Sequence, residues 1–393
     1  SAKIAPVRHS SLRQNAADAL GQRALQEAEI LAGQALAVEL GDRALQARSL
    51  FALALLASRR GDEKQAMALA TQAAALATAA GDAGTAAIAQ AQLAWSHYTL
   101  GDVDLALQMA HSAVAHARSA VVAEDTLAAR TQLVKLLSLQ GVVLAGQGSY
   151  AAAGVSYREA LQGALADGLH MARTNLYSYL GNLECDVGRY AQALVYLQQA
   201  LQGAVELDLL LPQATIHYNI ANAQRALGLP DLAWRSAEEA GRCASAADMR
   251  EVLARSWLMR GQLLEDAGRT APADAAYQTA AQGFEDCGLP HFASQAYAGR
   301  ASLALADGDL DGARRWAEQT AVAVAGVPSL LGIDWPALPS LVCHRVWQRL
   351  GDPRAAAALQ RAYDDVQSAA AHVDDLAIRQ EMLRAVPLMR AVM

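Results

Sequence analysis

Glycine recurs in this chain at intervals of twenty and forty residues. Gly21, Gly41, Gly61, Gly81 and Gly101 are each twenty apart, and the last four precede Asp. Further along, Gly148, Gly188, Gly228, Gly268 and Gly308 are forty apart. The step from Gly101 to Gly148 is 47 residues and that from Gly308 to Gly351 is 43, so two connections carry extra length. A fixed period of this size marks a repeat architecture, in which each unit buries its apolar face only against its neighbours. Forty residues with a Gly at the halfway point describe a helical hairpin. Each helix runs about four turns, and glycine closes it in the left-handed conformation that side chains resist. The Asp after several of these glycines can cap the next helix by accepting its free N–H groups.

Small residues keep the same register. Five positions past the turn glycine stand Ala66, Ala106, Ala153, Ala193, Ala233, Ala273, Ala313 and Ala356. Seven further on, Ala73, Ala113, Ala160, Ala200, Ala240 and Ala280 recur. Seven positions before the turn are Ala54, Ala94, Gly141, Gly181, Ala221, Gly261 and Ala301. Such columns let the two helices of a hairpin approach closely. Composition agrees: apolar residues make up 53% but aromatics only 5%, so Ala and Leu, both strong helix formers, carry the apolar content. Runs of Val, Ile and Thr that would signal strands are scarce. An all-α chain is predicted.

Several function classes are disfavoured. The formal charge of −7, from 32 basic and 39 acidic residues, gives no electrostatic footprint for nucleic acid and no polybasic membrane patch. Cys185, Cys243, Cys287 and Cys343 are far apart with no CxxC pair, which reads as reduced, mostly buried thiols in a cytoplasmic protein. No stretch of 18 apolar residues is free of charge, so no membrane-spanning helix is expected. No signal-peptide core is present, and Ser1 rather than Met stands first, as in an excised or processed fragment. Neither GxxxxGK[ST] nor HExxH occurs. The glycines of 146–151 imitate a dinucleotide loop, but they fall between two helices rather than after a strand. No enzyme activity, cofactor or metal is expected, and any catalysis would belong to a domain outside this chain.

The columns resemble those of the tetratricopeptide repeat. Leu180-Gly181, Gly188-Arg189-Tyr190, Ala193 and Ala200 match its pattern; so do Gly141, Gly148-Ser149-Tyr150, Ala153, Tyr157 and Ala160, and Gly261, Gly268, Ala273, Tyr277 and Ala280. The match covers nearly the whole chain. It implies a right-handed α-solenoid (superhelix) of about eight helical hairpins over residues 1–375, with irregular insertions near 119–127 and 326–340. The forty-residue length is similar to that of MalT-like bacterial regulators and LGN-type scaffolds. Residues 376–393 resemble the closing segment of such arrays, a capping helix over the open end of the solenoid.

In this family ligands sit on the concave face, lined by the first helix (A) of each hairpin. With the turn glycine as the fifteenth position, the inward places are the second, fifth, sixth, ninth, twelfth and thirteenth. They supply Asn175, Asn182, Tyr218, Asn219, Asn222, Arg225 and Arg255 in the later repeats, and Trp95, Tyr98 and Lys135 in the earlier ones. Asn182, Asn219 and Asn222 form an amide cluster. An amide both donates and accepts, so it can hold an extended peptide backbone, and equally it can bond a neighbouring helix. Arg255 suits an acidic group and fits one basic position of the family's carboxylate clamp, but Ser178 and Met259 occupy the other two. Trp95 and Tyr98, beside Lys135, suit a sugar, a peptide side chain or a partner's hot spot, and also suit partly buried packing. Tyr177, His217, Trp257 and Tyr297 recur every forty residues and read as core packing. Of the polar run Asn182, Glu184, Cys185 and Asp186, only Asn182 keeps a ligand role.

The resemblance implies a protein- or peptide-recognition and scaffolding or sensor module of a bacterial regulatory or signalling protein, with its partner in the groove. A second reading is the sugar-like inducer sensor domain of a MalT-like transcriptional regulator or signalling ATPase. Neither involves direct contact with nucleic acid or membrane.

Overall fold

The computed structural model describes residues 30–31, 33–59, 62–325, 337–371, 373, 375–386, 389 and 392. Gly21, Gly61 and residues 326–336 of the second expected insertion lie outside them. Every bounded element among the described residues is a helix, as the composition predicts. Two compact units divide the chain, Ser1–Val143 and Leu144–Met393. The first holds α1 (Arg43–Arg59), α2 (Glu63–Ala80), α3 (Ala83–Thr99) and α4 (Val103–Glu124), each packed on the next, and α5 (Leu127–Gly146) crosses the boundary. The 47-residue step is absorbed by α4, which runs 22 residues and ends at Asp125 with φ +41°.

The second unit continues with α6 (Tyr150–Ala166), α7 (His170–Val187), α8 (Tyr190–Glu206), α9 (Leu210–Ala226), α10 (Pro230–Ala246), α11 (Arg250–Asp266) and α12 (Thr270–Asp286). It closes with α13 (Pro290–Ala306), α14 (Leu310–Val324), α15 (Leu338–Leu350), α16 (Arg354–Ala371) and α17 (Leu376–Ala385). From α7 onward each A helix packs on its own B helix. Successive A helices, α7, α9, α11, α13 and α15, also touch one another. This neighbour-on-neighbour packing is that of a helical repeat solenoid.

Described turn glycines hold the left-handed conformation, from Gly41 at φ +66° to Gly351 at +67°. The halfway turns add Gly168 and Gly288, and at the two repeats between them Asp208 and Asp248 take φ +52° and +53°. Asp tolerates this region better than most side chains, so the period survives the loss of glycine. The capping expectation holds at Asp42, Asp62, Asp82 and Asp309, each accepting an N–H three residues on at 2.9 to 3.0 Å. Asp102 makes no such bond and lies 3.5 Å from His97 instead. Asp82 also accepts from the Thr85 hydroxyl at 2.9 Å and pairs with Arg48. Asp82→Ala is expected to cost about 1 kcal/mol in urea unfolding, with Asp82→Asn retaining most of the cap.

Inside the hairpins, residue sizes are matched in pairs. The small residue seven before the turn faces the residue nine after it. Ala54 clusters with Ala70, Ala221 with Ala237 and Ala301 with Ala317. Where the second partner is large the first is glycine: a Cβ on Gly181 would stand 2.6 Å from Leu197, and one on Gly261 2.6 Å from Tyr277. Interiors pack at crystal-like density, so the helix spacing is kept only if one side chain shrinks as its partner grows.

The helix α17 packs on α16 and also on α7, far back in the chain. Met382 and Val386 are buried with Ala370 and Val373, and Tyr150, at the start of α6, packs against them. Ala385 seats on Gly188, and Arg189 bonds Glu381 across 192 residues, Nη2 to Oε2 at 2.5 Å. Residues 387, 388, 390, 391 and 393 of the expected cap lie outside the description.

One helix among the described residues, α5, is long and apolar enough to cross a membrane by length and composition. Its apolar residues Val134, Leu136, Leu137 and Val143 are buried within the chain, and its Gln132 amide donates to the Gly84 carbonyl at 2.8 Å. Packing within the chain thus accounts for part of the apolar content, 39% of the apolar window being buried.

Candidate functional site

A cleft of about 450 Å³ opens on the A-helix face of the second unit. It is lined by Asn222, Arg225 and Ala226 of α9, Gln262, Glu265 and Asp266 of α11, Gln295, Ala298, Gly299 and Ser302 of α13, and Leu338, Val342 and Arg345 of α15, with Tyr277 of α12 behind them. Each of these A-helix residues stands at the second, fifth, sixth, ninth, twelfth or thirteenth position of its repeat. The ninth column runs Asn182, Asn222, Gln262, Ser302 and, after the 43-residue step, Arg345.

Part of the cleft's polarity is consumed internally. Arg225 forks onto Asp266, Nε to Oδ2 at 2.7 Å and Nη2 to Oδ1 at 3.1 Å, and donates to Gln262 Oε1 at 3.3 Å. The Tyr277 hydroxyl donates to Glu265 Oε2 at 2.5 Å. Burial pushes that phenol well above its usual range, and the charge of Glu265 pushes it further, so Tyr277 stays a donor throughout the working pH range. The remaining groups are unspent. Gln295 is only 3% exposed, and its amide has no hydrogen bond among the described residues. Asn222, Ser302 and Arg345 likewise lack side-chain partners there. Of these four, Gln295 is buried, Asn222 and Ser302 are half-buried and Arg345 is exposed, so water in the open cleft can serve them and a polar ligand can take its place.

The candidates read from sequence divide between the units. In the second, Asn182 and Asn219 bond each other, Nδ2 of Asn219 donating to Oδ1 of Asn182 at 2.6 Å, which joins α7 to α9. Asn222 and Arg225 reach the cleft. Tyr218 is 4% exposed and packs with Met259 and Leu263 in the core. Arg255 pairs with Glu251 at 3.0 Å and lies 4.6 Å from the Phe292 ring centroid and 5.9 Å from that of Tyr218. Asn175 is half-buried on α7. In the first unit, Trp95 and Tyr98 sit with ring centroids 6.0 Å apart, Trp95 is exposed, and Lys135 is exposed on α5.

The polar run of α7 is structural in its surroundings. Glu184 is buried and lies 3.6 Å from Arg189, which also holds Glu381. The four cysteines are free thiols, and burial pushes Cys343 up to about 12. Among the described residues no three His, Cys, Asp or Glu side chains gather as metal ligands would. Gln295 and Ser302 stand at inward places of the sequence register, the last regular repeat supplying both, but were not singled out as ligand candidates, and Arg345 was not read there. The ninth column carried the signal for the last two, hidden at Arg345 by the lengthened step.

No family model matches the sequence, and no curated protein matches it. Solved structures do. Aspartyl phosphate phosphatase F from Bacillus subtilis superposes with a TM-score of 0.58 at 15% identity, covering 76% of this chain and 77% of that one. A Rap protein complexed with Competence and Sporulation Factor gives 0.56 at 14%, covering 88% and 98%. The Rap conjugation gene regulator of plasmid pLS20, in complex with the Phr* peptide, gives 0.53 at 13%, covering 77% and 78%. At such identities the likeness establishes fold alone: these are tetratricopeptide-like helical repeat proteins, and this chain shares their architecture.

Proposed function

We propose that the chain is the peptide-recognition module of a bacterial regulatory or signalling protein, and that it binds its partner in the A-helix cleft of the second unit. Gln295, a buried residue that lines the cleft and whose amide has no protein partner among the described residues, carries this reading. With Asn222 and Ser302 it offers a row of groups that donate and accept, which is what an extended backbone requires. Two neighbours of the same fold are described with a bound factor or peptide, which supports the reading by analogy of fold. The role is recognition, and the chain's regulatory effect would pass to whatever domain or partner it serves in the cytoplasm.

A peptide-display library panned against the full chain is expected to yield binders. Their affinity should fall about tenfold or more in the Asn222→Ala, Gln295→Ala variant, the loss expected from removing two hydrogen-bonding groups of the cleft. Binders indifferent to both substitutions would place recognition elsewhere. A MalT-like sensor of a sugar-like inducer is the second reading. It is favoured by the exposed Trp95, whose ring face is an apolar surface of the kind sugars use, with the Tyr98 ring tilted by 42° at 6.0 Å between centroids. A thermal shift with sugars that is lost in Trp95→Ala would select it.

A further inference from the structure

The unspent groups of the cleft are not all neutral. Arg345 is exposed at the ninth position of α15 and has no ion pair or hydrogen bond among the described residues. One turn on, Arg349 is exposed and equally unpaired. The two arginines, with Leu305 and Gln348, line a second hollow of about 440 Å³ that adjoins the first through Arg345. Arg349, in the last turn of α15, gains from the negative end of the helix. That benefit fades within one turn and does not account for Arg345. Both acidic groups of the cleft are already engaged, Asp266 by Arg225 and Glu265 by Tyr277. Two guanidinium groups four residues apart with no acid between them repel. A carboxylate supplied from outside removes that repulsion and meets the planar fork of either one.

We propose that this end of the cleft binds a carboxylate of an acidic peptide segment, held by Arg345 and Arg349, while the peptide's backbone amides bond Gln295 and Asn222. The proposal rests on the peptide reading above and gives the ligand a charge and a direction. Neighbouring helices pack about 9 Å apart, and an extended chain advances about 3.3 Å per residue, so roughly three residues separate groups facing successive A helices. The acidic group therefore sits about three residues beyond the part of the peptide that faces Ser302. It also lies away from the family's clamp positions, two of which are Ser178 and Met259 here.

The carboxylate can belong to a side chain or to a free C-terminus, and calorimetry on the full chain with unlabelled hexapeptides of alanine separates the two. One peptide carries two glutamates at its C-terminal end and is amidated. A second has glutamines in their place and is amidated. A third is the glutamine peptide with a free C-terminal carboxylate. The glutamate peptide, the free-carboxylate peptide or both are expected to bind about tenfold or more tighter than the neutral one, as hydrogen bonds to charged groups do. The arm that gains identifies the source.

That preference is expected to disappear in Arg345→Gln, Arg349→Gln, and to pass to a lysine peptide in Arg345→Glu, Arg349→Glu. Unchanged circular dichroism melting shows that both variants fold. If all three peptides bind equally, or the Gln variant keeps the preference, the acidic assignment is overturned and the peptide reading stands. If none binds, both fall together.

Discussion

Tyr277→Ala is expected to lower the stability of the second unit by roughly 3–5 kcal/mol, the range for removing a large buried ring. Tyr277 is 1% exposed, lies between α11 and α13, and anchors Glu265 through its hydroxyl. Its space exists because two other residues have no side chain. A Cβ on Gly261 would meet its Cγ–Cδ1–Cε1 edge, and one on Gly299 its Cε1–Cζ–Cε2 end. Gly261→Ala in the native background should therefore cost about 1–3 kcal/mol through overpacking. In the Tyr277→Ala background the same substitution should be neutral or stabilising by up to about 1 kcal/mol, because the clash is gone and alanine is the better helix former. That pair would reproduce the Ala221–Ala237 and Ala301–Ala317 matches found on either side. Denaturant unfolding can be followed by tryptophan fluorescence, since Trp234, Trp257 and Trp316 pack against the cluster that contains Tyr277. Additive losses in the double-mutant cycle would refute the size-matching account.

Met382→Ala is expected to have the second largest effect, about 2–5 kcal/mol. Met382 is 1% exposed and holds α17 to Ala370, Val373 and Val386, with Tyr150 against the same cluster. The neighbouring ion pair matters less. Arg189 and Glu381 are each 40% exposed at the side chain, so Glu381→Gln should cost no more than about 1 kcal/mol. The Arg189 hydrogen bond holds the Glu381 carboxyl below its ordinary 4.5. A carboxyl depressed on folding stabilises above its unfolded pKa, and that contribution is lost as the pH falls through the lower folded value. The pair's share should vanish below the ordinary carboxylate range while the Met382 share persists. Limited proteolysis near residue 375 at neutral pH, compared between Met382→Ala and Glu381→Gln, reads this directly. Equal sensitivity of the two variants would contradict the dominance of apolar docking.

Both substitutions touch features with different degrees of legibility. The columns containing Gly261 and Tyr277 were visible as repeats, and with them the helical class, most turn positions and the six inward places that line the cleft. The rule that glycine accompanies a large partner and alanine a small one needed the contacts, because the two columns lie sixteen residues apart and each alone reads only as small or mixed. Asn182 and Asn219 illustrate the limit at the site. The sequence placed both amides on the inner face, but whether they meet a ligand or each other depends on the spacing between α7 and α9. At 2.6 Å they bond each other, while Asn222, one column step away, lines the cleft with no side-chain partner among the described residues.

The sequence by itself determined what is local and repeated: the hairpin, its turns, its caps and the side of each helix that faces inward. These depend on residues within one period of each other, so the pattern is written again in every repeat. The tertiary structure alone decided what happens once. It brought α17 back onto α7 across 192 residues, buried Tyr218 while leaving Asn222 in the cleft, and set Arg345 at the end of the amide column. A contact made between distant parts of the chain has no periodic copy, and its cost in loop entropy leaves no mark on the residues that make it. It is fixed only by how the stacked helices, each packed against the last, finally bring their surfaces together.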